Sequence, residues 1–393
     1  KDKSRESATS IATAAYCPRA AYIGKILPYG GKKSPNTTAG QIEHEYFEKY
    51  LEMMQLDSVS KIKLTSLALH EDRKFRVSEF ILGGGYVGGI LLQPDEEEKL
   101  AAVQHGLNCG INMIDTAPSY GNGESEKSVG RMLPHLTSSP YLATKVQIHS
   151  TNREDLTGQI EKSLHESLTR LSISSVDLLQ LHNPLNTTND HNHLAVEHLF
   201  EKNGVIKALQ KVKDEGMAKH IGMTALGDTS ACTKALETGA FDTAQIYYNL
   251  INPTADQKPP NNWRQHDFWN LMAICQKLDI GIMNIRVFAA GILASTERTG
   301  REIAVTGNRE FDFSEDEYRA NKIFENLPDD GYTSAQQALR FSLTNPKISC
   351  IVLGLANMKQ MEEALAVATA PPMSSSALDI LERLYENNFY SGA

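Results

Sequence analysis

Gly110-Ile-Asn-Met-Ile-Asp115-Thr-Ala-Pro-Ser-Tyr120-Gly is a short apolar run that ends on an aspartate and spills into a Pro/Ser/Gly loop. Two runs downstream follow the same plan: Tyr141-Leu-Ala-Thr leads into Lys145, and Val176-Asp-Leu-Leu-Gln-Leu leads into His182. Runs of this length, bounded by turn residues, read as strands. Working outward, strands are expected at Phe80–Leu82, Ile111–Ile114, Tyr141–Thr144, Val176–Leu181, His220–Met223, Thr243–Tyr247, Gly281–Ile285 and Ser349–Leu353.

Amphipathic stretches of helix length lie between them. They cover Glu97–Leu107, Arg153–Leu171 with Asn152 as N-cap, Val205–Glu215 with Gly216 as C-cap, Trp263–Leu278, Ser334–Leu343 and Met358–Ala368. Strands that alternate with helices imply a parallel sheet, and eight such units suit a closed (β/α)8 TIM barrel of the α/β class. No sequence repeat of fixed period argues for a solenoid. The polar stretch Ala289–Tyr332 reads as a long βα-loop, and residues 375–388 read as an extra terminal helix. Residues 1–60 show no strand alternation. Helices are expected there at Ala14–Ala21 and Glu43–Met54, so the chain divides into an N-terminal helical appendage, 1–60, and a barrel, 61–393.

The 393 residues carry a net charge of −9, which argues against broad electrostatic binding to nucleic acid or an anionic membrane. No apolar run is long enough to span a bilayer, and the start is polar. The five cysteines, Cys17, Cys109, Cys232, Cys275 and Cys350, form no CxxC or metal-type cluster. Reduced thiols in a cytoplasmic protein are expected, with Cys109 and Cys350 as buried small hydrophobes and no metal.

In a (β/α)8 barrel the catalytic groups sit where strands end. An aspartate, lysine or histidine at one strand end has a bland reading as a helix cap, a surface charge or a core group. Three on consecutive strands share one rim, and a buried carboxylate and ammonium there are costly unless they pair. The chemistry follows from the set. A carbonyl that receives hydride needs a proton on its oxygen, which a phenol can give, and a neighbouring ammonium favours phenolate. The carboxylate holds the ammonium, and the imidazole orients the carbonyl and donates a hydrogen bond to its oxygen.

Gly110-Ile-Asn-Met-Ile-Asp-Thr-Ala-Pro-Ser-Tyr-Gly-Asn-Gly-Glu-Ser-Glu resembles the signature of the aldo-keto reductases around their catalytic Asp and Tyr. Ala143-Thr-Lys-Val and Asp177-Leu-Leu-Gln-Leu-His-Asn-Pro resemble the segments that carry the family's lysine and histidine. The likeness runs from about Phe75 to the C-terminus and implies a tetrad of Asp115, Tyr120, Lys145 and His182, with Tyr120 the general acid. It implies an oxidoreductase that moves hydride between NAD(P)(H) and a carbonyl or alcohol, with sugars, sugar lactols and small aldehydes as candidate substrates.

Gly83-Gly-Gly85-Tyr-Val-Gly88 satisfies GxGxxG after a strand. A dinucleotide fingerprint needs its helix to begin within the glycines. Here Ile90-Leu-Leu-Gln-Pro94 intervenes before Asp95, so the glycines, Gly85 among them, are expected in a first βα-loop under the nicotinamide or substrate. The resemblance places the carboxamide on Thr224 and Gln245. Ala225 stands where many members have Asn, and Ile285 where an aromatic often stacks on nicotinamide. Arg286 and the backbone near Phe288 and Gly291 are implied at the pyrophosphate, with pairing of Arg286 to a local carboxylate as the bland alternative. Gly354, Asn357, Gln360 and Glu363 are implied at the adenosine. NADP-preferring members put Lys or Arg on the 2′-phosphate, where this chain has Gly354, Ala356 and Gln360 with only Lys359 nearby, so a weakened NADP preference and a tilt to NAD are expected.

In the appendage, Tyr16-Cys-Pro-Arg-Ala-Ala-Tyr22 and Gly40-Gln-Ile-Glu-His44 resemble the opening of RecB-like CRISPR-associated nucleases. The later cysteines and the nuclease core of that family are missing, which implies a truncated or fused remnant with no iron–sulfur cluster and no nuclease activity. The alternative is a helical pair packed on the barrel, with Cys17 buried and His44 on a helix face. Three function classes follow: an enzyme acting on a small-molecule carbonyl or sugar, a cofactor-binding regulatory subunit with slow turnover, and a nucleic-acid-processing fusion. The intact tetrad favours the first. Oligomeric state has no signature in the sequence.

Overall fold

The computed structural model describes residues 62, 64–66, 76–148, 155–188, 193–296 and 313–389. The chain divides into two compact units, Lys1–Lys61 and Ile62–Ala393. The appendage helices, Cys17 and His44 lie outside the described residues.

Eight strands of the second unit close into a barrel: β1 Phe80–Gly83, β2 Met113–Asp115, β3 Tyr141–Val146, β4 Val176–Leu181, β5 Ala218–Thr224, β6 Thr243–Tyr247, β7 Gly281–Ile285 and β8 Cys350–Gly354. Each pairs in parallel with the next, and β8 pairs with β1. All eight expected strands are present, three with the expected bounds and five with ends moved by one or two residues. An antiparallel pair, Leu64–Ser66 with Arg76–Ser78, precedes them.

Side chains alternate across a strand, so every second residue points into the barrel. Ile81, Met113, Ala143, Leu178, Met283 and Cys350 form one apolar layer there with Val77, from the residues leading into β1. Two residues further along β2, β3 and β4 stand Asp115, Lys145 and Gln180, on the same inward face. A dry floor therefore lies directly beneath a polar layer.

Helices α1 Glu96–Asn108, α2 Glu124–Met132, α3 Leu156–Leu171, α4 Val205–Asp214, α5 Thr229–Glu237, α6 Leu271–Lys277, α7 Ser314–Asn326, α8 Ser334–Thr344, α9 Met358–Leu365 and α10 Ser375–Glu386 follow in order. Asp95 caps α1 by accepting from the amides of Glu97 and Glu98, as the sequence predicts for a helix that starts after the glycine loop. Gly216 follows α4 with φ 77°, the left-handed conformation that ends a helix cheaply only at glycine.

Several expectations are corrected. Asp155, not Asn152, caps α3, by accepting from the Gly158 amide; Asn152 itself lies outside the described residues. The helix expected over Trp263–Leu278 begins only at Leu271, because the preceding residues are held in turns by an amide and a hydroxyl side chain. Asn252 Nδ2 donates to the His266 carbonyl, and Thr254 Oγ1 accepts from the Phe268 amide. The stretch expected to be irregular over Ala289–Tyr332 contains α7, whose first turn carries Glu315, Asp316 and Glu317, favourable at the positive end of the helix dipole. Cys109 is only partly buried at the end of α1, whereas Cys350 is fully buried in the barrel floor.

Candidate active site

The polar layer is built around one carboxylate. Asp115 ends β2 with 2% of its surface exposed, and Lys145 on β3 is fully buried. Lys145 Nζ donates to Asp115 Oδ2 at 2.6 Å and to the Thr116 carbonyl at 2.9 Å. Two amides donate to the other oxygen: Gln180 Nε2 to Oδ1 at 2.8 Å and Gln245 Nε2 at 3.0 Å. The carboxylate is fully engaged, which offsets the cost of taking it out of water. Burial alone pulls the Lys145 ammonium down, but the Asp115 carboxylate and the Tyr120 phenol outweigh it and raise its pKa.

Tyr120 reaches this pair from the loop after β2. The Lys145 ammonium lies 4.7 Å from the centroid of its ring. The His182 ring, just beyond β4, meets the Tyr120 ring edge-on with centroids 5.7 Å apart. Desolvation of the imidazole and the nearby Lys145 charge lower the His182 pKa to about 3, so the ring is neutral at physiological pH. Asp115, Tyr120, Lys145 and His182 thus converge on the mouth of the barrel.

A cavity of about 670 Å³ opens over them. Its wall contains Tyr120 and His182, passes Thr224 and Gln245, follows Ile285, Arg286, Phe288 and Gly291, and ends at Gly354, Gln360 and Glu363. Thr224 Oγ1 donates to Gln245 Oε1 at 3.3 Å, which orients that amide at the wall. Ile285 offers only an aliphatic side chain where the sequence notes a missing aromatic. At the far end, Gln360 Oε1 accepts from the Ala356 amide at 2.7 Å, and Glu363 Oε1 accepts from Thr333 Oγ1 at 2.5 Å. Asn357 is absent from the cavity wall. Its side chain caps α9 instead, accepting from the Gln360 amide.

The glycine motif serves close packing. A Cβ on Gly88 would stand 2.4 Å from the Leu355 nitrogen, so the loop after β1 lies against the end of β8, tied there by the Ile90 amide to the Leu355 carbonyl. Gly85 faces the Tyr120 ring, with space for a Cβ 3.7 Å from Cζ. The sequence reading overlooked Gln180, although its place two residues before His182 puts it on the same inward face. It also overlooked Tyr86, Ser119 and Asn122, loop residues on the cavity wall.

A family model described as aldo/keto reductase matches residues 79–386. A shorter model, DNA replication factor Dna2, matches residues 7–75. It fits the nuclease-like reading of the appendage loosely, and its description is a replication factor, not a CRISPR-associated nuclease. An L-galactose dehydrogenase of Arabidopsis thaliana is 25% identical over 316 residues, 79% of this chain and 89% of the relative. A D-threo-aldose 1-dehydrogenase of a Pseudomonas species is 30% identical over 249 residues, 56% of this chain and 69% of the relative. The structure of an aldo/keto reductase from Klebsiella pneumoniae in complex with NADP and acetate shares the fold, with a TM-score of 0.58 at 21% identity, over 81% of this chain and 95% of that one. With a family match over most of its length and a closed eight-stranded barrel beneath it, this chain belongs to the aldo/keto reductase family.

Proposed function

We propose that this chain is a cytoplasmic NAD(P)(H)-dependent oxidoreductase that moves hydride between nicotinamide and a carbonyl or alcohol, with Tyr120 as general acid/base. The observation that carries the reading is the buried Lys145 ammonium, fixed by Asp115 and set against the Tyr120 ring at the floor of the cavity. In the reducing direction Tyr120 Oη gives its proton to the carbonyl oxygen as the carbonyl carbon accepts hydride, and an alcohol and oxidised cofactor result. Lys145 stabilises the phenolate that is left. His182, neutral, donates a hydrogen bond to the same oxygen and orients it.

The cavity fits an extended dinucleotide, since its wall continues from the tetrad across four strand ends to α9. Bound there, the nicotinamide supplies or receives the hydride. Thr224 and Gln245 would hold the carboxamide, and Ile285 would give the ring apolar contact in place of stacking. Arg286 and the backbone at Phe288 and Gly291 would meet the pyrophosphate. Gly354, Gln360 and Glu363 would face the adenosine, with Asn357 shaping the turn from beneath. Among the described wall residues Arg286 is the only Lys or Arg, and it stands on the β7 side. The Glu363 carboxylate repels a 2′-phosphate and the Gln360 amide brings no charge to pair with it, which favours NAD over NADP.

An aldose, sugar lactol or small aldehyde is the proposed substrate, in keeping with the sugar dehydrogenases among the relatives and with Ser119, Asn122 and Tyr86 at the mouth. No nucleic-acid or membrane partner is proposed. Catalysis is preferred to a slow regulatory role because all four groups of the tetrad converge. The test is Tyr120→Phe: carbonyl reduction is abolished while the cofactor still quenches protein fluorescence with its original affinity. Unchanged turnover contradicts the assignment.

A further inference from the structure

Gln180 is an amide in the interior of the barrel, fully buried, directly above the apolar floor. Leu178, two residues earlier on the same face, is the kind of side chain that layer otherwise uses. An amide there is costly unless it is bonded. Its nitrogen donates to Asp115 Oδ1 at 2.8 Å, while its buried Oε1 has no hydrogen-bond partner among the described residues.

The register explains the reach. Gln180 pairs with Lys145 across β3 and β4, so the side chain stands beside the ammonium and meets the carboxylate from the other flank. Gly222, its partner on β5, leaves the room: a Cβ there would lie 3.3 Å from Gln180 Cγ and 2.2 Å from Thr243 Oγ1. Two amides thus share Asp115 Oδ1, but their situations differ. Gln245 also lines the cavity and is proposed to meet the cofactor. Gln180 is absent from the cavity wall, so no ligand in that cavity accounts for it.

We infer that Gln180 is a positioning residue of the proton relay: its amide fixes the Asp115 carboxylate so that Oδ2 holds the Lys145 ammonium against Tyr120. The inference rests on the proposed role of Tyr120. Without this donor, Oδ1 keeps only the Gln245 amide, which also faces the cavity, so the carboxylate is held less firmly about its last bond and the ammonium is less well directed at the phenol. A hydrogen bond to a charged group has the size that corresponds to about a tenfold change in rate.

The experiment compares the full chain with Gln180→Met, Gln180→Glu and Tyr120→Phe. Turnover of 4-nitrobenzaldehyde and a panel of aldoses is followed from pH 5 to 9 with NADH and NADPH, and cofactor affinity is read by fluorescence quenching. Gln180→Met is expected to lower kcat about tenfold at neutral pH with cofactor affinity unchanged. In Gln180→Glu the introduced carboxyl donates to Asp115 only while protonated, so its kcat rises towards the parent value as the pH falls. As the pH rises it drops below that of Gln180→Met, because two carboxylates then face each other. A residue that merely fills space gives no such crossing. If both variants keep the parent's kcat and pH profile while Tyr120→Phe is inactive, the inference about Gln180 is wrong and the role of Tyr120 stands. If Tyr120→Phe still turns over, or the parent reduces none of the panel, the underlying reading falls and the inference with it.

Discussion

Asp115→Asn removes the counter-charge of a fully buried ammonium and leaves the shape of the side chain almost unchanged. The structure sets both the size and the pH dependence of the effect. Lys145 keeps one neutral partner, the Thr116 carbonyl at 2.9 Å, and loses the carboxylate at 2.6 Å. Breaking a buried ion pair by removing one partner costs about 3–5 kcal/mol. For a domain of this size that lowers the melting temperature by on the order of 10 °C at neutral pH.

The pH dependence carries the diagnostic sign. In the parent the Lys145 pKa is raised, so its stabilising contribution is complete below the unfolded value of about 10.4 and is lost only as the pH climbs through the folded one. From pH 6 to 9 this pair contributes a constant amount. In the variant burial is no longer outweighed, the folded-state pKa falls below the unfolded one, and the unfolded chain binds the proton more readily. The stability deficit of Asp115→Asn therefore shrinks as the pH rises from 7 towards 10. Thermal melts of parent and variant, followed by circular dichroism at intervals across that range, measure the difference. A melting temperature within about 2 °C of the parent, or a deficit that does not change with pH, would refute the buried, charged Lys145 on which the site depends.

Two further outcomes follow from the cavity walls. Fluorescence titration is expected to show NADH binding more tightly than NADPH, and Gln360→Arg to reverse the order by supplying a bidentate partner for the 2′-phosphate; tighter NADPH binding by the parent overturns that reading. Gly88→Ala forces a Cβ to within 2.4 Å of the Leu355 nitrogen, so the β1 loop must move off β8. A loss of roughly 1–3 kcal/mol in urea unfolding, with weaker cofactor binding, is expected, and a neutral substitution would contradict the close approach.

Much of the barrel is legible in the sequence because its signals are local. Each strand is a short apolar run, and Asp95, Gly216 and Thr333 mark helix ends by chemistry that acts within three residues; Thr333 and Gln336 close a capping box on α8. The tetrad is legible for a different reason: strand ends share a rim, so residues far apart in sequence have a common address. Two further helices carry signals at their starts. The helix α5 starts at Asp228, whose side chain accepts from Ala231, and Gly239 follows it with φ 65°. The helix α2 is hidden by Gly121-Asn-Gly123, which reads as loop, yet Gly123 at φ 84° is the residue from which the helix begins.

The turns before α6 were beyond local reading. They depend on amides at Asn249 and Asn252, and Asn249 Nδ2 reaches the Arg286 carbonyl 37 residues away. The bond of Gln245 to Asp115 spans 130 residues and has no local signature. Gln180 is intermediate. Alternation alone puts it on the inward face with His182, but only the closed barrel shows that it meets Asp115. Asn357 carries a second signal that the resemblance does not need: it stands directly before Met358 and caps α9.

The most direct test of the central claim follows the transferred atom. The protein is incubated with reduced cofactor carrying deuterium at both positions of the nicotinamide C4 and with each carbonyl of the panel, and the alcohol product is analysed by mass spectrometry. The account predicts one deuterium on the former carbonyl carbon with the parent and none with Tyr120→Phe. An unlabelled alcohol, or equal labelling by both proteins, would contradict it.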